Sequence, residues 1–382
     1  MNSFDSKLPT SGTTIFTVMS KLAEEHGAIN LSQGFPDFQP PRALIERVVH
    51  YFRSGKNQYP PMPGVASLRE AIAAKLRAEY GVHMDADTEI TVTSGATEAL
   101  FCAIQAIVRA GDEVIIFDPA YDSYDPAVTL AGGSAVHVPL RIPGFDIDWQ
   151  RLKDLLSDRT RLVILNSPHN PTGTLIQRED WDRLAALLRP YSAYVLSDEV
   201  YEHVIFDGAL HATVLAHEEL AERSLAVFSF GKTYHATGWK VGYCVAPRPL
   251  SEALRQVYQY VQFTTTGPIQ FALADYLAEH PEHHRGLPAF YAAKRDQFAK
   301  LLETTRFELT PARGTYFQLA DYSAISDLDD MAFARWLTIE HGVAVIPISV
   351  FSASPVESRL VRFCFAKQAQ TLQDAAARLA AL

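Results

Sequence analysis

Two observations predict an α/β fold for this chain, with a large lobe whose mainly parallel sheet lies between helices and a smaller α+β lobe. From Glu89 onward, short β-branched runs alternate with stretches of helical periodicity, the pattern left by strands joined through crossover helices. Beyond about residue 275 the alternation gives way to a long helical stretch and then a few isolated strands. With 382 residues, 48% of them hydrophobic and 20% charged, the chain can bury more than one core.

Taken in order, residues 1–40 are polar and rich in turn formers, and read as an N-terminal arm and the start of the small domain. Helical periodicity begins at Pro41 in PRALIERVVHYF and returns in ASLREAIAAKLRAEY. Then come the strand EITVT, the helix ATEALFCAIQAIVRA, the strands EVIIFD, AVHVPL and TRLVILN, the helix WDRLAALLRP, and the strands AYVLSDE and LAVFSF. The large domain is assigned to residues 41–275 and the small C-terminal domain to 276–382. The latter holds a long helix near PAFYAAKRDQFAKLL and strands at TYFQLADY and LVRFCFA. No fixed-period repeat marks a solenoid.

Bulk chemistry narrows the function. The formal charge of −10, with dispersed basic residues, excludes a phosphate-backbone binder, so the expected partners are small molecules and not nucleic acid. The segment MNSFDSKLPTSGTTIF lacks a positive stretch followed by an apolar one, and no run is long enough to cross a bilayer. Cys102, Cys244 and Cys364 are far apart and without CxxC spacing, so a reduced, cytoplasmic setting away from membranes is expected. No metal is expected, and among the thirteen histidines His169 and His235 read as packing residues.

Four segments carry chemistry. In EITVTSGATEAL a strand enters a helix through Ser94, Gly95, Ala96 and Thr97, where small residues and free N–H groups can cradle a phosphate or form a plain capped turn. ILNSPHNPTGT puts Asn166 and Asn170 at a strand's C-terminal end, either as amide donors to a ligand or as turn residues. AYVLSDEVYEHV sets Asp198 at the end of an apolar strand, where a carboxylate needs a cationic partner such as a protonated pyridine, unless it is a helix cap. SFGKTYHATGWKVGY holds Lys232, with Ser229 and Lys240 nearby; a desolvated lysine can form an imine with an aldehyde, whereas a solvated one is only surface charge.

The ordered set SGATEAL, DPAYDSY, NSPHNPTG, SDEVYEH, SFGKTYHATGWKVGY and a late Arg362 in LVRFCFA resembles the class I, fold type I aminotransferases that use pyridoxal 5′-phosphate. INLSQGFPDF and NQYPPMPGVASLREAI are similar to the branch of bacterial methionine aminotransferases and kynurenine aminotransferases. The resemblance implies a seven-stranded, mainly parallel sheet in the large domain. It implies that Lys232 holds the cofactor as a Schiff base and later moves the proton, that Asp198 pairs with the pyridine nitrogen, and that Tyr201 and Asn170 bond the ring 3′ oxygen. Tyr121 would stack on the ring, and Gly95, Ala96, Thr97, Ser229 and Lys240 would hold the phosphate, with Asn166 beside the ring. Arg362 would grip the substrate α-carboxylate, helped by Asn170 and the backbone at Gly34, with Phe35 close by. Tyr59 would cross a homodimer interface to the partner's phosphate, and Asp118-Pro119 and Asn170-Pro171 would be cis.

Lys240 stands where many relatives carry arginine, so one point charge replaces a fork. No residue matches the second arginine of aspartate-type members. The pocket candidates Ile15, Phe16, Phe35, Tyr59, Phe263 and Phe351 instead favour an apolar, aromatic or sulfur-containing amino donor: methionine first, then phenylalanine, tyrosine, leucine or kynurenine. A 2-oxo acid would accept the amino group by ping-pong kinetics. Weighed against this are a cysteine-S-conjugate β-lyase on the same fold, a non-catalytic binding module, and a Rossmann dehydrogenase, whose glycine spacing SGATEAL lacks.

Overall fold

The computed structural model describes residues 6–8, 12–354 and 358–382. Its centre is a seven-stranded sheet of β1 (Ile90–Thr93), β2 (Glu113–Asp118), β3 (Ser134–Pro139), β4 (Thr160–Asn166), β5 (Tyr194–Asp198), β6 (Ser224–Ser229) and β7 (Gly242–Val245). The strand order is β1-β7-β6-β5-β4-β2-β3. β3, β2, β4, β5 and β6 run parallel, and β7 lies antiparallel between β6 and β1.

Alternation along the strands divides the core in two, because successive side chains of a strand leave opposite faces. Val114, Ile116, Leu162 and Ile164 pack with the helices Ala96–Ile107 and Arg248–Val261 on one face. Ile115, Phe117, Val163 and Leu165 share the other face with Trp181, Leu184 and Leu188 of the helix Arg178–Leu188. Both faces being covered explains why these strands read as nearly continuous apolar runs.

A second, four-stranded antiparallel sheet is ordered Ile346–Pro347, Leu360–Cys364, Phe317–Asp321, Glu308–Thr310. The long helix expected near residues 288–302 runs from Pro281 to Leu302 with Pro288 inside it. Where an N-terminal arm was expected, the described residues hold a helix, Ile15–Glu25, that buries Met19, Leu22 and Ala23. The Thr14 side chain accepts from the Thr17 N–H, and that cap starts the helix within a stretch whose turn-forming composition concealed it. Next, Ile29–Asn30 pairs in parallel with Val343–Ala344, which fastens this segment to the C-terminal part of the chain. The X-Pro bonds at Asp118-Pro119 and Asn170-Pro171 are cis, as are those at Ile142-Pro143 and Ser167-Pro168.

What positions the site is the shared polarity of the parallel strands. β2, β4, β5 and β6 end at Asp118, Asn166, Asp198 and Ser229, so their C-terminal loops gather along one edge of the sheet. Behind that edge, Glu202 is buried and accepts from Lys75, Tyr80 and, at 3.3 Å, Tyr243. Lys75 also donates to the Tyr243 hydroxyl at 3.0 Å, so helix Ala66–Tyr80, β7 and the turn after β5 share one polar knot. Lys75→Met should strand the Glu202 carboxylate and destabilise the protein by roughly 3–5 kcal/mol, measured as a lowered urea midpoint at pH 7.

Candidate active site

A cavity of about 160 Å³ opens at this edge, lined by Gly95, Ala96, Thr97, Leu100, Tyr121, Asn166, Asn170, Asp198, Val200, Tyr201, Ser229, Gly231, Lys232, Thr237, Lys240 and Val241. It brings together eleven of the residues singled out from sequence: Gly95, Ala96, Thr97, Tyr121, Asn166, Asn170, Asp198, Tyr201, Ser229, Lys232 and Lys240. Gly34 and Arg362 reach it through hydrogen bonds. The Lys232 amine donates to the Gly34 carbonyl at 3.3 Å, and Arg362 Nη1 donates to Asn170 Oδ1 at 2.6 Å. Two candidates lie outside the cavity: Phe35 is exposed, its carbonyl held by Lys367 at 2.8 Å, and Tyr59 is 85% exposed, its ring edge against Phe263.

Three buried ionisable groups set the electrostatics. Asp198 accepts from the Tyr124 hydroxyl at 2.6 Å and from the Val200 N–H at 3.4 Å, yet loss of solvent pushes its carboxyl up to about 6. Burial also lowers the Lys232 ammonium to about 8, which brings its free amine closer to neutral pH than in an exposed lysine. Arg362, 1% exposed, is drawn down by the same desolvation to about 10. Its Nη2 donates to the Ser32 carbonyl at 3.0 Å, while its Nε is buried without a hydrogen-bond partner among the described residues. The guanidinium lies 3.9 Å from the centre of the Phe317 ring, with Phe351 and Phe16 at 5.4 and 5.5 Å. The result is a cationic fork in an aromatic enclosure.

The asparagines divide their labour. Asn166 spends both ends of its amide on backbone, donating to the Asp198 carbonyl at 2.8 Å and accepting from the Asn170 N–H at 2.7 Å. It therefore ties the end of β5 to the loop that carries Asn170. At the other end of the cavity Gly95 has φ +84°, and a Cβ there would come within 3.2 Å of Lys240 Nζ. The helix Ala96–Ile107 starts at that point without a side-chain cap, so its N-terminal N–H groups and one ammonium converge. The Thr97 hydroxyl lies 3.5 Å from that of Tyr121.

Two site residues escaped the sequence reading. Tyr124, three positions after Tyr121, supplies the hydrogen bond to Asp198. Its place in DPAYDSY was a signal, but a buried phenol and a packing aromatic look alike in a sequence. Tyr316 bonds Lys232 at 2.9 Å from within TYFQLADY, which carried only a strand signal.

Comparison with known proteins decides the family. Residues 26–379 match the model "Aminotransferase class I and II". The chain belongs to the class I and II aminotransferases. A methionine aminotransferase of Escherichia coli is 58% identical over 374 residues, covering 98% of this chain and 97% of that protein. A solved E. coli structure described by a methionine aminotransferase function superposes with a TM-score of 0.97 at 57% identity, covering 99% of each chain. Kynurenine–oxoglutarate transaminase 3 of Homo sapiens is 34% identical, covering 95% of this chain and 87% of its own.

This aminotransferase is an enzyme that uses pyridoxal phosphate and takes amino and oxo acids. The residues present fit that cofactor. Gly95 and Lys240 leave an anion cradle that a Cβ would fill, Asp198 is a buried carboxylate that a cationic ring nitrogen would relieve, and Lys232 is a desolvated amine. For the aminotransferase without cofactor, the raised Asp198 carboxyl has a measurable consequence. Between its usual value of 3.8 and about 6 only the folded state holds the proton, so stability falls as pH rises through that window. The span is worth about 3 kcal/mol; urea titrations of wild type and Asp198→Asn should differ by a pH-dependent term confined to it.

Proposed function

We propose that the enzyme moves the amino group of an apolar, aromatic or sulfur-containing L-amino acid, methionine foremost, to a 2-oxo acid. The observation that carries this reading is Arg362, a buried guanidinium with a free Nε, walled by Phe16, Phe317 and Phe351. A fork in that setting suits an α-carboxylate, and the rings beside it suit a side chain without charge. The likeness to the E. coli methionine aminotransferase and the human kynurenine–oxoglutarate transaminase supports the same range of donors.

Pyridoxal phosphate, when bound, supplies a carbonyl carbon for the amino group and a ring that takes up the electrons left when a Cα–H bond breaks. The chain's residues do the rest. Asp198, steadied by Tyr124, would pair with the ring nitrogen and favour its protonated form. Tyr201 and Asn170 would serve the 3′ oxygen, and Tyr121 and Val200, which line the same cavity, would pack on the ring. Gly95, Ala96, Thr97, Ser229 and Lys240 would hold the phosphate; Asn166 acts through Asn170 and the end of β5. Lys232 would carry the cofactor's carbonyl carbon, and its free amine would remove and return the proton at the substrate α-carbon. Arg362 fixes the α-carboxylate, with Asn170 and the backbone at Gly34 completing the grip and Phe35 at the rim. Donor and acceptor use one site in turn, which gives ping-pong kinetics.

The reading includes a homodimer in the cytoplasm. Tyr59 at 85% and Tyr260 at 87% exposure, near the exposed Val261 and Phe263, support a face covered by a second copy, through which Tyr59 reaches the neighbouring phosphate site. Three free, buried cysteines support a reducing compartment. Among the described residues no helix is long and apolar enough to cross a membrane.

Arg362→Lys keeps the charge and loses the fork, so kcat/KM for methionine should fall about 100-fold. With wild type, methionine should be turned over at least about tenfold faster than aspartate at equal subsaturating concentration. Steady-state assays with a common 2-oxo acid check both, and preference for aspartate would overturn the donor assignment.

A further inference from the structure

We propose that Tyr316 is a positioning residue for transamination, holding the free Lys232 amine in the orientation from which it exchanges a proton with the substrate. The inference rests on Lys232 as the base and goes one residue further. The Tyr316 hydroxyl donates to the Gly34 carbonyl at 2.6 Å. With its one proton so committed, the phenol oxygen can only accept from the Lys232 amine, 2.9 Å away. The amine in turn reaches the same Gly34 carbonyl at 3.3 Å, closing a three-member cluster.

Lysine has a long, flexible stem, and an unanchored amine would spread over many rotamers. Tyr316 is suited to anchor it because its own ring cannot move. It is fully buried, with Tyr201 edge-on at 5.0 Å, Phe317 at 5.0 Å and Tyr291 at 5.7 Å. Gly34 is equally constrained, since a Cβ there would lie 2.8 Å from the Phe317 ring. The residues around Gly34 are fixed from the same side of the site: Arg362 holds the Ser32 carbonyl and Lys367 the Phe35 carbonyl. The segment that contacts the carboxylate-binding arginine thus also sets the base, so seating substrate and aiming the amine are one event.

Tyr316→Phe tests this, since it keeps the ring and removes only the oxygen. In the cofactor-free protein, Lys232 acetylation by acetic anhydride, followed by mass spectrometry across pH, should show a midpoint lower than in wild type, because an acceptor favouring the ammonium is gone. In the loaded enzyme, kcat for methionine should fall about tenfold while KM stays within about twofold, and the isotope effect with α-deuterated methionine should rise. An unchanged labelling midpoint with unchanged kcat would overturn the proposal, as would parallel losses in kcat, KM and melting temperature without a midpoint shift. Lys232→Ala separates the two levels: if it still exchanges the methionine α-proton in heavy water, the base assignment itself fails, and Tyr316's role with it.

Discussion

Three buried ionisable groups, Asp198, Lys232 and Arg362, meet at one cleft, and most of the surrounding structure can be read as the means of keeping them there. A lone carboxylate, ammonium or guanidinium loses several kcal/mol on leaving water. Each is therefore held by groups that already belong to the fold: Tyr124 and a backbone N–H for the carboxylate, Tyr316 and the Gly34 carbonyl for the amine, Asn170 and the Ser32 carbonyl for the guanidinium. Partial satisfaction is what makes the groups useful. Asp198 stays raised, Lys232 stays lowered, and Arg362 keeps a donor free. Perturbation of this kind converging on a single cavity marks a reactive site.

The same constraint explains why the two sheets must meet. Asp198 and Asn166 end parallel strands of the large sheet, whereas Arg362 and Phe317 sit on adjacent strands of the small one. Asn170 is the joint between them, taking a hydrogen bond from Arg362 on its side chain and giving its N–H to Asn166. The N-terminal segment enters from a third direction, pinned by pairing with Val343–Ala344 and by carbonyl contacts at Ser32, Gly34 and Phe35.

Much of this was legible in the sequence because strand ends and small-residue turns leave local marks. Ser94 to Thr97, Asn166 to Asn170, Asp198 and Lys232 each follow an apolar run, and parallel topology alone sends such residues to one edge. Tyr124 and Tyr316 were not legible, since their roles depend on which atom lies opposite a phenol across long stretches of chain. The Ile15–Glu25 helix was missed for another reason: its cap, Thr14, sits in a Thr- and Ser-rich stretch whose composition reads as coil. β7 was not picked out from sequence because it begins inside the lysine motif; a Cβ at Gly242 would meet Ala96 N at 2.8 Å, so the glycine serves close packing of strand against turn.

The most direct test of the account is a visible absorbance titration of the purified protein loaded with pyridoxal phosphate. The account predicts a pH-dependent band from cofactor joined to Lys232, bleached by L-methionine and restored by a 2-oxo acid, with neither change in Lys232→Ala. Absence of that band from wild type, or a Lys232→Ala protein that still cycles between the two forms at the wild-type rate, would contradict it.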